Sequence, residues 1–471
     1  MNIFSDLESY NIQYIVWKDI YKASEFFEGN AELDLLVNFD QNEQFEEIIS
    51  NRGFIPLKIN SFLNRRGIKH FIRYLNGKYF HLHVYYGIIT GNHFVKEYEF
   101  HIEKSLFSNY VLENNIKLAS KELEVAFLII RLNIKKSSLI PNIKIKEVNR
   151  LATLSENCNK LSVMELISII SPKIKASICE LLSLALEKKR IPKKQRIILK
   201  EFNSFQTLKG FRYAYKYISI RIFLIYLRLN KSSNKTFMNE GVSFALLGCD
   251  GSGKTTIASK LFKQYRAKTS CKKFYLGGNF KTYSLATWVA YFNYYLMRVF
   301  SPFKEKYYLA WFLYYTSFII LELGKAYDRK RKVIKGEKLK SKGWIVIYER
   351  FPIGGLFDFP THLLDIKKHI WFPRKSSKII RFLLQNIEHT IKYLDRPDTS
   401  FLITTNLEKM KERRTLADNE IIDIDRKLKT QRIYLLNNEA DLVVINNNQE
   451  LKNVISLINQ EINNKICISS L

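Results

Sequence analysis

The chain of 471 residues is 46% hydrophobic and 14% aromatic, enough for the cores of about three domains, which excludes a disordered, collagen-like or disulfide-scaffold polypeptide. Its 75 Lys and Arg against 45 Asp and Glu leave a net charge of +30, an attraction for polyanions such as nucleic acid, nucleotide phosphates or anionic lipid. The basic residues are scattered and form no single arm, so biased coding toward Lys, Asn and Ile accounts for the charge as well as function does.

In chain order, the opening MNIFSDLESYNIQY carries acids early and no apolar core, and does not read as a signal peptide. Between Tyr14 and about Tyr86, β-rich runs (YIVW, LDLLV, HFIRYL, YFHLHVYY) alternate with a helical stretch, Asn42 to Asn51, that Gly53 closes. That pattern predicts a small α/β domain within 1–120. From Lys121 to about Leu229 the strand signals fade. Apolar residues recur at helical spacing in Leu123, Ala126, Phe127, Ile130 and Leu132, and again in Ile174, Ile178, Leu181, Leu182 and Ala185. A helical middle region over 121–235 follows, ended by a polar linker, NKSSNKT, Asn230 to Thr236.

The third expected domain, 236–471, starts with an apolar run, VSFALL, a Gly-rich turn, and helical spacing from Thr255 to Tyr265. Three further apolar runs follow among helical segments: WIVIY (Trp344 to Tyr348), SFLIT (Ser400 to Thr404) and DLVVI (Asp441 to Ile445). Such alternation predicts an α/β fold with a parallel sheet and helices on both faces. The best membrane candidate, YYLAWFLYYTSFIIL from Tyr307 to Leu321, has about 15 uncharged residues where a span needs ~20, and is read as a buried aromatic helix. The five cysteines, Cys158, Cys179, Cys249, Cys271 and Cys467, show no CxxC or metal spacing and suit reduced thiols in a cytoplasmic protein.

Gly248 to Thr255 reads GCDGSGKT, a full match to GxxxxGK[ST] between an apolar strand and a helix start. In such a loop Gly248, Cys249, Asp250, Gly251, Ser252 and Gly253 wrap a phosphate with backbone N–H groups, and the helix N-terminus adds positive potential. Lys254, expected to be exposed, reaches the β and γ phosphates of ATP, the Thr255 hydroxyl ligates Mg²⁺, and Thr256 completes the cradle.

The stretch GCDGSGKTT resembles the P-loop of the thymidylate kinase family. Two later segments are similar to that family's in the same order. AYDRKRKVIKGEKLKSKGWIVIYERF, Ala326 to Phe351, looks like its helix with an Asp-Arg pair and the strand ending in DRY. RPDTSFLITTNLEKMKERR, Arg396 to Arg414, looks like its PD-plus-strand, helix and arginine lid. The resemblance implies a P-loop kinase using ATP and Mg²⁺. Glu349 and Arg350 would stand at the DR pair, Glu349 anchoring Mg²⁺ through water and Arg350 holding the acceptor's phosphate. Arg413 and Arg414 would be lid arginines that neutralise charge on the transferred group. One segment departs from the family: KFYLGGNFK, Lys273 to Lys281, puts Tyr275 and Leu276 where an Arg and an acid are expected. The aromatic stretch Trp288 to Leu321 then reads either as a packed helical pair or as a remodelled acceptor pocket or docking surface.

Near the N-terminus, GNAELDLLV, Gly29 to Val37, puts Glu32 and Asp34 two apart on one strand face, where both carboxylates can hold divalent metal against a triphosphate. This resembles the nucleotidyltransferase-like fold found fused to kinase-like domains, with Phe45 to Gly53 as its Gly-ending helix and Tyr79 to Tyr85 as its later strand. That strand offers His81 and His83 where a third carboxylate would stand, so an inactive or structural domain is expected ahead of an active one.

The combined expectation is an ATP-dependent small-molecule kinase with a nucleoside monophosphate as default acceptor. A sugar or sugar phosphate of polysaccharide biosynthesis is the alternative. The rival from another class is a non-catalytic, ATP-switched binding protein whose basic surface engages nucleic acid or membrane; a continuous basic stripe outside the cleft would favour it. A homodimer is compatible with either.

Overall fold

The computed structural model describes residues 3–470 apart from 30, 61–62, 76–77, 92–94, 102, 138–144, 157, 171–204, 230–234, 250, 279, 305, 353–375, 407 and 411–441. Two compact units divide the chain, Met1–Lys235 and Thr236–Leu471.

The first unit is built on a mixed sheet. Strands β1 (Tyr14–Lys18), β2 (Glu32–Val37), β4 (Ile68–Leu75) and β5 (Lys78–Tyr85) lie on the four β-rich runs, and β3 (Ile55–Ile59) adds a strand not singled out in the sequence. β6 (Ile88–Thr90) and β7 (Tyr98–Phe100) form a separate antiparallel ribbon. With β8 (Tyr110–Glu113) and β9 (Ile116–Ala119), the unit's main sheet runs β3-β4-β5-β2-β1-β9-β8. β2 is parallel to β5, whereas β4 and β5 form an antiparallel hairpin. The helix Asn42–Asn51 buries Phe45, Ile48 and Ile49. Gly53 takes a left-handed φ of 77° and donates its N–H to Ser50 O at 2.7 Å, a helix end for which glycine is suited.

The helices Lys121–Ser137, Ile145–Ser155 and Lys160–Ile170 share the core of this sheet. Ile15, Trp17, Leu36 and Tyr85 pack in one cluster with Leu123, Phe127, Ile130 and Val163, so 1–120 and the described part of 121–235 fall in one unit. Trp17 stands edge-on to Tyr85 and to Phe127, at 5.1 and 5.2 Å between centroids. Arg131 donates to Glu147 at 2.7 Å, and Arg150 grips Glu124 through two bonds of 3.2 and 3.0 Å, tying the first two helices together. The expected spacing from Ile174 to Ala185 lies outside the described residues. β10 (Lys235–Phe237) begins inside the stretch expected as a linker, because β-prone Thr236 and buried Phe237 outweigh the polar residues before them.

In the second unit β11 (Ser243–Leu247), β12 (Cys271–Tyr275), β13 (Ile345–Glu349), β14 (Thr399–Thr404) and β15 (Leu442–Asn446) form a wholly parallel sheet in the order β12-β13-β11-β14-β15. Every residue of β11 and β13 is buried. Successive side chains of a strand point to opposite faces, so both faces of the sheet are covered there. Tyr307 to Leu321 opens a 33-residue helix, Tyr308–Lys340. Its Trp311 and Ile319 pack with Ile380, Leu384 and Ile387 of the helix Ser376–Lys392, while Tyr307, Tyr308 and Leu309 are exposed, so the segment is only partly the buried helix expected. The helix Leu285–Met297 packs beside it, with the Tyr294 and Tyr314 hydroxyls 3.3 Å apart. Among the described residues no helix is long and apolar enough to cross a membrane.

Candidate phosphate-binding site

β11 and β13 are neighbours with Leu246 opposite Glu349, so the loop after β11 and the residues ending β13 open at the same, carboxyl end of the sheet. Open parallel sheets bind ligands at that end. Gly251 and Gly253 take φ of 89° and 92°, conformations that turn the backbone tightly into the helix Lys254–Lys268. The Ser252 hydroxyl is buried and has no hydrogen-bond partner among the described residues, while Asn447 Nδ2 pins the Ser252 carbonyl at 2.7 Å. Asp250 lies outside the described residues.

Lys254 differs from its expected exposure. It is 5% exposed, and its ammonium donates to Gly248 O at 2.7 Å and Cys249 O at 2.5 Å. A buried ammonium must be solvated by acceptors, and the loop's own carbonyls supply them. Thr255 and Thr256 follow on the exposed side of the helix. The Thr255 hydroxyl donates to Glu349 Oε1, and Lys273 Nζ stands 3.7 Å from Glu349 Oε2. Glu349 is buried at the end of β13.

Arg350 comes next and takes a left-handed φ of 63°, which costs a side-chain-bearing residue energy and marks a locally strained turn. Its guanidinium lies 5.7 Å from the Tyr275 ring, and its Cδ packs where a Cβ on Gly277 would come within 2.7 Å. Arg350 therefore sits against the segment from Lys273 to Lys281. That segment is held from behind by the helix Tyr308–Lys340. Arg329 Nε donates to Leu276 O at 2.8 Å, Lys332 Nζ to Tyr275 O at 3.0 Å, and Asp328 accepts from Ser284 N at 2.9 Å. Asp328 and Arg329, noticed in the sequence as a pair, thus position backbone. Burial pushes the Tyr283 hydroxyl up to about 12. Trp288 packs at 6.1 and 6.0 Å against Phe280 and Tyr291.

The Arg413 and Arg414 positions lie outside the described residues, although Met410, just before them, packs within 3.6 Å of the Cβ position at Gly251. Asp398, at the other end of the sheet, accepts from Ser243 N at 2.8 Å and Lys340 Nζ at 2.5 Å, a structural anchor.

In the first unit the register of β2 and β5 sets Glu32 opposite His81 and Asp34 opposite His83. His83 Nδ1 is 2.8 Å from Asp34 Oδ1 and 3.0 Å from Glu32 Oε1, and His81 Nδ1 is 3.3 Å from Glu32 Oε2. Two residues not singled out join them. His70 on β4 stacks on His83 at 4.1 Å, and Lys235 Nζ stands 3.2 Å from His70 Nδ1 and 3.3 Å from His81 Nε2. His70 was readable in outline: the Asn-Gly dipeptide between the two runs is a hairpin signal in the sequence, and with Leu75 opposite Lys78, counting back sets His70 opposite His83. Burial raises the Glu32 carboxyl, but His81, His83 and Lys235 outweigh it and hold the group well below the usual carboxylate range. Burial, reinforced by His83, Lys235 and His81, pushes the His70 imidazole well below its ordinary value. Magnesium takes oxygen ligands. A set of two carboxylates, three imidazoles and an ammonium does not fit magnesium as the divalent metal expected at Glu32 and Asp34.

Strand, glycine-rich loop, helix and a carboxylate on the neighbouring strand give the second unit the arrangement of a P-loop α/β module. No family model matches the chain, and no curated protein matches it. Solved structures do. A thymidylate kinase from Candida albicans is 14% identical over 48% of this chain and 93% of its own, with a TM-score of 0.29. A deoxyadenosine kinase from M. mycoides, solved with bound dATP, is 12% identical over 47% of this chain and 99% of its own, with a TM-score of 0.28.

Proposed function

We propose that residues 236–471 form an ATP-dependent phosphotransferase acting on a phosphorylated small molecule. The observation that carries this reading is the bond from the Thr255 hydroxyl to Glu349, which sets a hydroxyl and a carboxylate side by side at the mouth of the loop. Those oxygens are the donor set that a P-loop enzyme gives Mg²⁺. The Ser252 hydroxyl, without a partner among the described residues, and the left-handed glycines support a phosphate in the cradle.

The residues fit ATP with Mg²⁺. Gly248 to Gly253, Lys254 and Thr256 would hold the phosphates, and Thr255 with Glu349 the ion. Bound Mg²⁺ neutralises charge on the β and γ oxygens. Lys254 would exchange its two carbonyl partners for phosphate oxygens, and Arg350 would orient the acceptor through its phosphate, with Arg413 and Arg414 covering the transferred group. Transfer joins an acceptor oxygen to the γ phosphorus and breaks that phosphorus from the bridging oxygen, which leaves with ADP. An ionised phosphate acceptor needs no base for this step.

A nucleoside monophosphate is the default acceptor. Tyr275 and Leu276, in place of an Arg and an acid, support a second reading in which a sugar phosphate takes its place. The test is ATP consumption by the purified chain against panels of nucleoside monophosphates and sugar phosphates. The reading predicts acceptor-dependent ADP release that Lys254→Ala abolishes; consumption that no acceptor stimulates, or that the variant retains, would overturn it.

A further inference from the structure

The Glu32 cluster brings five metal-ligating side chains from three adjacent strands together, in two triads whose ligand atoms lie within 4.8 Å of one another: Glu32–His70–His81 and Glu32–Asp34–His83. The triads are not equivalent. Lys235 Nζ lies 3.2 Å from His70 Nδ1, 3.3 Å from His81 Nε2 and 4.0 Å from Glu32 Oε2, so the first triad already surrounds a cation. In the second, the imidazole Nδ1 of His83 faces one oxygen of each carboxylate, at 2.8 and 3.0 Å, and all three side chains are half-buried.

We propose that Glu32, Asp34 and His83 bind a divalent ion of the zinc class, not magnesium. Imidazole is a natural ligand of zinc, whereas magnesium selects oxygen. Ligand bonds of about 2.1 Å in tetrahedral array set ligand atoms about 3.4 Å apart, so His83 Nδ1 needs to draw back from each carboxylate oxygen by only about half an ångström. Two oxygens and one nitrogen leave a fourth position for water or a substrate oxygen, and the half-burial of the triad keeps that position reachable. His70, stacked on His83 with ring planes 14° apart, holds the imidazole in its ligating orientation. Lys235 supplies the positive charge on the inner side, which directs the ion to the outer triad. The inference stands apart from the phosphotransfer reading, since neither Glu349 nor the glycine-rich loop enters it.

The test uses the full-length chain, stripped with chelator and free of nucleotide. Equilibrium dialysis with elemental analysis should find about one Zn²⁺ per chain, not displaced by a hundredfold excess of Mg²⁺. Co²⁺ added in its place should give a visible d–d absorption band. His83→Ala should weaken Zn²⁺ binding at least about a hundredfold, since it removes a direct ligand where loss of an outer partner alone costs ten- to a hundredfold. Asp34→Asn, which keeps the shape of the side chain, carries the same test if the alanine variant does not fold. His70→Ala should keep the ion. Absence of stoichiometric Zn²⁺ from the folded parent, equal affinity for Mg²⁺, or Zn²⁺ kept by His83→Ala or Asp34→Asn and lost by His70→Ala would each overturn the proposal.

Discussion

Glu349 and Glu32 are both carboxylates at an end of a strand, yet they meet different chemistry. Glu349 closes β13 in a parallel sheet, is 1% exposed, and has a hydroxyl on one oxygen and an ammonium 3.7 Å from the other. Glu32 opens β2 in a mixed sheet and faces three imidazoles and Lys235. In a parallel sheet every strand delivers its carboxyl end to one edge, so loops far apart in sequence meet there and backbone N–H groups dominate. Glu32 instead lies within a ladder, opposite His81 of the parallel β5, and the β4–β5 hairpin brings in His70, so side chains of alternate residues dominate. Whether a carboxylate stands at the carboxyl end of a strand or inside a ladder therefore decides whether it meets the loop of a neighbouring strand or the side chains across from it.

The hardest blow to this comparison would come from Lys254. Lys254→Ala should lower acceptor-dependent ATP turnover by at least about a hundredfold, the scale of losing one fixed charge-stabilising donor. Steady-state rates on folded protein, checked by thermal melting, measure it; turnover equal to the parent's would remove the loop from phosphate handling. Next in size is Glu349→Gln, which still accepts from Thr255 but carries no charge. It should reduce kcat by about ten- to a hundredfold and raise the Mg²⁺ concentration at half-maximal rate. An unmoved Mg²⁺ midpoint would make Glu349 a structural partner of Thr255 and erase its contrast with Glu32.

The two regions also differ in how much of them the sequence disclosed. GCDGSGKT is contiguous, and a loop that binds through its own backbone has to be. Its strand and helix could be read from the apolar run before it and the spacing after it. The Glu32 cluster is assembled by register, so the carboxylates on β2 and the histidines on β5 were visible as pairs two apart, while His70 needed the hairpin count and Lys235 comes from a segment that reads as linker. Three features left no local trace. The burial of Lys254 depends on which carbonyls the loop turns inward. The left-handed backbone of Arg350 is imposed by its packing, since nothing in the residue type prefers it. Asp328 and Arg329 reveal their role only through the Leu276 and Ser284 backbone they hold.

Acceptor choice, on the proposed phosphotransferase reading, sharpens the comparison at the Glu349 end. Where a phosphate-gripping arginine is expected, Tyr275 ends β12 and Leu276 follows it, and the Tyr275 ring lies against Arg350. Loss of one charge-assisted contact is worth roughly 1.5 to 3 kcal/mol, or about ten- to a hundredfold in binding. dTMP should therefore be a poor acceptor. A kcat/KM for dTMP within the ~10⁴ to 10⁸ M⁻¹s⁻¹ usual for an enzyme on its own substrate would contradict this and restore a plain thymidylate specificity.

The smallest effect is read as stability, at Arg350. Both Arg350→Ala and Arg350→Gly remove the guanidinium, so both should raise the acceptor's KM far more than the KM for ATP. They differ in backbone: alanine at a φ of 63° keeps the left-handed strain, and glycine does not. Relief of about 1 to 2 kcal/mol, less about 0.5 to 1 kcal/mol for the greater freedom of glycine in the unfolded chain, leaves the glycine variant ahead by roughly 1 kcal/mol. For a unit of this size that is a melting temperature about 2 to 4 °C above the alanine variant's. An alanine variant that melts at or above the glycine variant would show that the turn after β13 carries no strain, and that Arg350 is held toward Tyr275 by its side chain alone.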